Sequence, residues 1–222
     1  MKDKILALFG RKKGYEEKLI EEFDKSDIKQ LIEDLENCKR GYRHFILDSF
    51  KTRRSIRKFN PERKIPFKDI HDILDASMNA PCAANIQGYK FILIENNDKK
   101  LGVGKRFEMQ NWIADASHLI LVLRDDYHVR EMFPDSGETL CVQGVAALIE
   151  NILLLVHMFG YGACWVAGNN NELVKNYLGV PSNMFLEAVI PVGFPLEDPK
   201  IKKETLNSKL SFEEFGNKIR GK

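Results

Sequence analysis

The order of apolar segments predicts a mixed chain of helices and strands, with one sheet covered by helices on both faces. Two observations carry this reading. Helical periods and short apolar runs alternate between residues 66 and 193. The runs "YKFILIE" (89–95), "LILVL" (119–123) and "FLEAVIPVG" (185–193) are nearly unbroken in apolar residues, as strands covered on both sides must be.

The elements follow in order. Residues 15–38 place Leu19, Ile20, Phe23, Ile28, Leu31, Ile32 and Leu35 at helical spacing between charges, giving one amphipathic helix or two broken near Ser26-Asp27. Residues 1–50 therefore read as a helical N-terminal extension, a packing or dimer arm, ahead of a main domain over 51–222. Pro66-Phe67 opens a helix through Asn79, and a strand follows at 89–95. A helix near 97–110 precedes the strand at 119–123. A long apolar helix runs from Glu138 to Phe159 and is ended by Gly160 and Gly162. "ACWVA" (163–167) is a strand, 171–178 a helix, and 185–193 the last strand.

Composition narrows the function. The chain has 222 residues, 44% hydrophobic and 30% charged, with a formal net charge of only +2. Delocalised binding to nucleic acid or an anionic membrane needs a larger cationic excess, so neither partner is expected. Cys38, Cys82, Cys141 and Cys164 form no CxxC pair, and the five histidines show no ligand spacing, so no metal site is expected. The N-terminus has five apolar residues in a row, too few for a signal-peptide core, and "ILLLVHMFG" is too short to span a bilayer. An intracellular, reduced and cytoplasmic protein is expected.

Against that balance, Lys51 to Lys58 holds five cations: Lys51, Arg53, Arg54, Arg57 and Lys58. Guanidinium groups fork onto phosphate oxygens, and Ser55 adds a neutral donor. The residues alone leave open a discrete phosphate site, a solvated charge run or a nucleic-acid patch. Ile56 and Phe59 interrupt the run, as they would where a segment tucks one side into a core.

Three further stretches are candidates. In "NAPCAANIQGYKFILIE" (79–95), small residues allow close approach to a flat ligand, and Asn85 and Gln87 offer polar groups before a strand. An ordinary helix-to-strand loop accounts for the same residues. In "GYGACWVAGNN" (160–170), Gly168 between a strand and a helix can present backbone N–H groups to a ligand, or simply serve a turn. In "PVGFPLEDPKIKK" (191–203), Lys200 and Lys202 follow the end of a strand, with both ammonium groups on one side of an extended segment. The "GVG" at 102–104 lacks the third glycine of a dinucleotide fingerprint, and no P-loop is present.

Taken in order, these segments resemble the FMN-dependent nitroreductase family. The carriers are Arg53-Arg54-Ser55-Ile56-Arg57-Lys58-Phe59, the loop from Ala80 to Tyr89, the glycine-rich strand from Gly160 to Gly168, and Pro191-Val192-Gly193-Phe194-Pro195 with its downstream lysines. The resemblance covers about residues 50–205. It implies an α+β fold, a three-layer α/β/α sandwich, in a domain-entwined homodimer with FMN in clefts at the dimer interface. Arg53 and Ser55 would hold phosphate and ribityl oxygens with Arg54 close by. Arg57 would face the pyrimidine edge, and Lys200 and Lys202 would serve as the phosphate-binding basic pair. From the partner subunit, Pro81, Cys82, Ala83 and Asn85 would line the flavin. Backbone N–H groups of Ala167 and Gly168 would face its N5/O4 side.

A cation beside N1/O2 favours reduced flavin, and a partly desolvated bond of this kind contributes roughly 1.5–3 kcal/mol. The implied activity is hydride transfer from NADH or NADPH, then two-electron reduction of a nitroaromatic, quinone or similar conjugated acceptor in a ping-pong cycle, with no essential side-chain acid or base. The same flavin fold also serves dehalogenation, flavin fragmentation or a biosynthetic oxidation, and a non-catalytic flavin-binding protein is a further alternative. Three positions depart from the family pattern or stay unaligned with it. Gly88-Tyr89 replaces Pro-Trp, Ala167 stands where some members carry Glu, and neither Gln110 nor Asn111 is assigned a flavin contact.

Overall fold

The structure is a computed structural model that describes residues 25–107 and 110–217. The chain divides into two compact units, one up to Arg53 and one from Arg54 onward. Within the first, helix α1 (Lys25–Thr52) runs through Ser26-Asp27 without a break. The expected helical positions Leu19, Ile20 and Phe23 lie outside the described residues. Ser49 and Thr52 hydroxyls donate to the carbonyls of Phe45 and Asp48 one turn back, and the Arg53 N–H closes the last turn on Ser49 O at 3.0 Å. Tyr42, Phe45, Ile46, Leu47 and Phe50 are exposed along this helix.

The second unit contains α2 (Phe67–Ser77), β1 (Tyr89–Ile94), α3 (Asn97–Arg106), β2 (His118–Arg124), α4 (Tyr127–Met132) and α5 (Gly137–Met158). It continues through β3 (Gly162–Ala163), β4 (Val166–Ala167), α6 (Glu172–Leu178) and β5 (Phe185–Gly193). All pairings are antiparallel in the order β1-β2-β5-β3, with β4 also on β5.

Alternation along β2 explains the sandwich. Ile120 and Val122 point into one core with Ile70 and Ile73 of α2 and Val145, Leu148, Ile149, Ile152 and Val156 of α5. Leu119, Leu121 and Leu123 point into the other with Val103 of α3 and Val174 of α6. Both faces of β2 are buried, which is why its run 119–123 lacks polar residues. Helix α5 is long and apolar enough to cross a membrane by composition. Its Leu148, Ile149, Ile152 and Val156 are buried against the sheet, as in a core helix.

The expected strand at 163–167 is two two-residue strands flanking Cys164-Trp165. The connection from β2 to α5 contains α4, of which only Val129 is buried. A β-bulge interrupts β2·β5: Val122 faces Ala188 and Leu123 faces Leu186, so Glu187 is the extra residue.

Candidate active site

The cationic segment is an edge of the sheet. Ser55 bridges Ala163 in parallel, the Ile56 N–H donates to Ala163 O at 2.9 Å, and Phe59 bridges Pro195 beyond the end of β5. Ile56 and Phe59 are buried. Glycines make room for them: a Cβ on Gly162 would meet Ile56 Cγ1 at 2.9 Å, and one on Gly193 would meet Phe59 Cδ1 at 2.9 Å. Inward packing of these two side chains leaves Arg57 and Lys58 exposed and Arg54 and Ser55 half-buried.

This edge recruits the chain that follows β5. The Arg54 Nε donates to Pro199 O at 3.1 Å. Glu197 Oε1 accepts the backbone N–H of Arg57 at 2.6 Å and of Lys58 at 3.1 Å. The Leu196 N–H donates to Lys58 O at 2.9 Å, and the Asn60 N–H to Phe194 O at 2.9 Å. Arg54, Ser55 and Arg57 are thereby brought beside the start of the tail that carries Lys200 and Lys202, both exposed. The Ser55 hydroxyl makes no hydrogen bond to a described residue, and the Arg57 guanidinium makes no ion pair with one. Arg53 ends the first unit, where its N–H caps α1.

The small-residue loop lies at the other end of the sheet. Ala83–Asn85 form a 3-10 turn in which Ala84 (φ 49°) and Asn85 (φ 57°) are left-handed. Gly144 of α5 lets the loop approach, since a Cβ there would sit 3.2 Å from Cys82 Cβ. Pro81 is exposed, and Cys82 and Ala83 are half-buried. Cys82, Ala83, Tyr89, Cys141 and Gly144 line a small cavity. Burial pushes the Cys141 thiol up to about 11, so it is a donor, here to Gly88 O at 3.4 Å, and not a nucleophile. No disulfide joins the four cysteines.

The third segment differs from expectation in one respect. Ala167 is exposed beside β5, but the Gly168 N–H is already used, donating to Glu187 O at 2.8 Å. Glycine is required here because a Cβ would overlap the Leu186 carbonyl oxygen. Asn169 (φ 48°) and Asn170 (φ 46°) then turn the chain in left-handed conformations, with the Asn170 N–H on Leu186 O and the Leu186 N–H on Asn170 Oδ1. Among the described residues, four of the five left-handed non-glycine positions (Ala84, Asn85, Asn169, Asn170; the fifth is Glu213) fall in these two segments. Such strain of about 1–3 kcal/mol per residue gathers at functional loops.

One chain therefore brings Arg54, Ser55 and Arg57 beside the start of the tail that leads to Lys200 and Lys202, with Ala167 on the same edge four residues along from Ala163, roughly 13 Å. It does not unite these with Pro81, Cys82, Ala83 and Asn85. Ser55 lies in the row Ala163–Val192–His118, whereas Tyr89, just after the loop, pairs with Arg124. Six steps of β2 separate the two rows, roughly 20 Å.

Sequence reading missed Glu197, the clasp of the edge, and Arg124. Arg124 is buried between Asp126, Glu187 and Glu138. Burial opposes its charge, but hydrogen bonding and attraction from Glu187, with Asp126 and Glu138, hold its pKa above the ordinary value. An arginine closing an apolar strand run was the only local signal.

The fold and sequence have clear relatives. The Nitroreductase family matches over residues 50–111 and 104–194. A protein of Methanothermobacter thermautotrophicus named "Putative NADH dehydrogenase/NAD(P)H nitroreductase" is 31% identical over 158 residues, 69% of this chain and 79% of its own length. The crystal structure of a nitroreductase family protein from Clostridium novyi NT superposes with a TM-score of 0.62 at 27% identity, covering 78% of this chain and 96% of that one. The FMN-dependent nitroreductase of Clostridium difficile R20291 shares the fold, with a TM-score of 0.64 at 21% identity over 75% of this chain and 98% of its own. With the family signature spanning residues 50–194 and a relative 31% identical over 69% of the chain, the chain belongs to the nitroreductase family.

Proposed function

We propose that this protein is an FMN-dependent oxidoreductase that takes hydride from NADH or NADPH and reduces a nitroaromatic, quinone or similar conjugated acceptor by a ping-pong cycle. The observation that carries the reading is the edge formed by residues 54–60 and 194–200. Two cationic stretches more than 140 residues apart in sequence are clasped together there, beside a Ser55 hydroxyl that makes no hydrogen bond among the described residues. The donor set fits FMN: guanidinium, ammonium and hydroxyl groups for a phosphate at one end, and an uncrowded edge strand leading to Ala167. The names of the relatives agree, one a nitroreductase using NAD(P)H and another FMN-dependent.

In this reading Arg53, Arg54, Ser55, Lys200 and Lys202 hold the phosphate and ribityl oxygens. Arg57 supplies positive charge at the pyrimidine edge. Because the loop leads into β1, at the opposite edge of the sheet from the Ser55–Ala163 bridge and from β4, Pro81, Cys82, Ala83 and Asn85 reach the cofactor from a second copy of the chain, so the working unit is a homodimer. When bound, FMN supplies the redox chemistry of both half-reactions. The chain's residues orient the cofactor and exclude water, with no side-chain acid or base required. The proposed compartment is the cytoplasm.

An anaerobic absorbance spectrum, taken before and after NADPH and then NADH, tests this. A flavin spectrum that bleaches with a donor and recovers with menadione or nitrofurazone is the expected result. Bound flavin that stays oxidised with both donors, or no flavin after incubation with FMN, overturns it.

A further inference from the structure

We infer that Arg124 is a positioning residue for this site, one side chain that sets both the 82–88 loop and the 167–170 turn; the inference rests on the flavin reading above. Arg124 ends β2, its side chain only 5% exposed, and stacks its guanidinium 4.1 Å from the centre of the Phe185 ring. Nε donates to Glu187 Oε1 at 2.5 Å, Nη1 pairs with Asp126, and Nη2 lies 3.5 Å from Glu138 Oε1 at the start of α5.

Two backbone routes lead from this network to the site segments, one through Glu187 and one through Asp125, the residue between Arg124 and Asp126. Glu187 is the bulged residue of β5, and its carbonyl receives the Gly168 N–H. The neighbouring Leu186 exchanges two hydrogen bonds with Asn170. On the other side, the Asp125 N–H donates to Gly88 O at 2.9 Å, and a Cβ on Gly88 would lie 2.7 Å from both Asp125 O and Cys141 Sγ. The two segments that hold Ala84, Asn85, Asn169 and Asn170 left-handed thus hang from one buried cation.

The bulge explains why an arginine is needed. Inserting Glu187 brings Leu186 round to face Leu123 in one core while Ala188 still serves the other. The displaced carboxylate is only 25% exposed, as is little of Asp126 at 7%. A forked, permanently charged donor satisfies several such oxygens at fixed angles, whereas an ammonium would hold one and leave the others to drift. In the proposed dimer the loop and the turn of one chain serve different copies of the site. Loss of Arg124 therefore alters both.

The test uses the full chain as Arg124→Gln and as the double variant Arg124→Met/Glu187→Gln. The double variant removes the Glu187 charge as well and leaves Asp126 a second cation, Arg130 at 3.8 Å, which keeps the experiment readable if the single variant fails to fold. Hydrogen exchange is read on FMN-free protein, and FMN affinity and the flavin absorption maximum on loaded protein. We expect exchange at 86–89 and 167–171 to rise at least tenfold together. We also expect FMN affinity to fall at least tenfold with a shifted maximum, and this loss to persist in the double variant after its melting temperature recovers. A merely structural role would restore affinity along with stability. Affinity within twofold of wild type in a folded variant, or unchanged exchange in either segment, overturns the inference. A wild type that binds no FMN defeats the flavin reading instead, and the exchange data still decide whether Arg124 sets the two segments.

Discussion

Arg54 and Pro199, 145 positions apart, are hydrogen-bonded, the Arg54 Nε donating to the Pro199 carbonyl at 3.1 Å. This bond fixes the residue immediately before Lys200 against the residue immediately before Ser55. Neither lysine is held by regular structure, so the proposed phosphate end depends on how firmly the tail is clasped to the edge.

Glu197 is that clasp, since one carboxylate oxygen accepts both the Arg57 and the Lys58 N–H. Bonds to a charged acceptor contribute about 1.5–3 kcal/mol when well formed, less where water competes. Glu197→Ala should weaken FMN binding about tenfold, equivalent to about 1.4 kcal/mol, while barely changing the melting temperature. Titration of FMN fluorescence reads the first and calorimetry the second; unchanged affinity would mean the tail stays docked without the clasp.

Two glycines should respond in opposite ways. At Gly168 an added Cβ meets the backbone of Leu186 and Glu187, which cannot rotate away. Gly168→Ala should cost about 3 kcal/mol, a fall of roughly 6 °C or more in melting temperature, and release the 167–170 turn. At Gly41, within α1, an added Cβ meets nothing within 4 Å. Gly41→Ala should add about 0.5–1 kcal/mol of helix stability and leave FMN binding untouched, as circular dichroism and flavin titration would show.

Lys100 gives the protein an alkaline signature. Its ammonium group is buried, donating to the Ala116 and Ser117 carbonyls, and burial lowers its pKa from 10.5 to about 8. Above about pH 8 the folded chain releases a proton that the unfolded chain keeps up to 10.5. Stability therefore rises with pH across that window, and this contribution is absent below it. Cys141, raised from 9.0 to about 11, and Tyr161, raised from 10.0 to about 12, act in the opposite sense at higher pH. The readable interval is pH 8 to 9, where denaturation should show wild type gaining about 1 kcal/mol relative to Lys100→Met. Parallel curves for the two proteins would refute the lowered value.

The central strands were legible because burial on both faces leaves little room for polar residues, so 119–123 and 188–193 stand out as apolar runs, while β1, half-buried with Lys90 exposed, was marked by its aliphatic and aromatic residues. The cationic edge was legible for a similar reason, Ile56 and Phe59 marking which side turns inward. Helix α4 was not, since it buries only Val129 and so carries no apolar period. Nor was the break at Cys164-Trp165, because a strand and two strand fragments share one composition. The Arg124 network could not be read either: its acids lie at 126, 138 and 187, and only the Glu187 bulge and the start of α5 bring them together. Gly168 was expected to present its N–H to a ligand, with an ordinary turn as the alternative; that N–H instead donates to Glu187 O, a pairing no sequence period announces.

The separation between Ser55 and the 82–88 loop yields the sharpest prediction. If the loop completes the site of a second copy, Lys200→Ala and Asn85→Ala homodimers each carry two damaged sites. Mixing them and allowing exchange should produce hybrids in which one site holds both defects and the other holds none. FMN binding should then recover to about half a wild-type complement in the hybrid fraction, with the intact site showing wild-type affinity. A site completed by its own chain would leave every site in the hybrid singly damaged and recover nothing. Equilibrium dialysis on hybrids purified by two different affinity tags separates these outcomes. It does so without any assumption about the acceptor, because the readout is occupancy and not turnover. Recovery would also explain why one chain can afford to carry Ala84 and Asn85 in left-handed strain so far from its own phosphate end: the geometry that one chain holds at cost is used by the other.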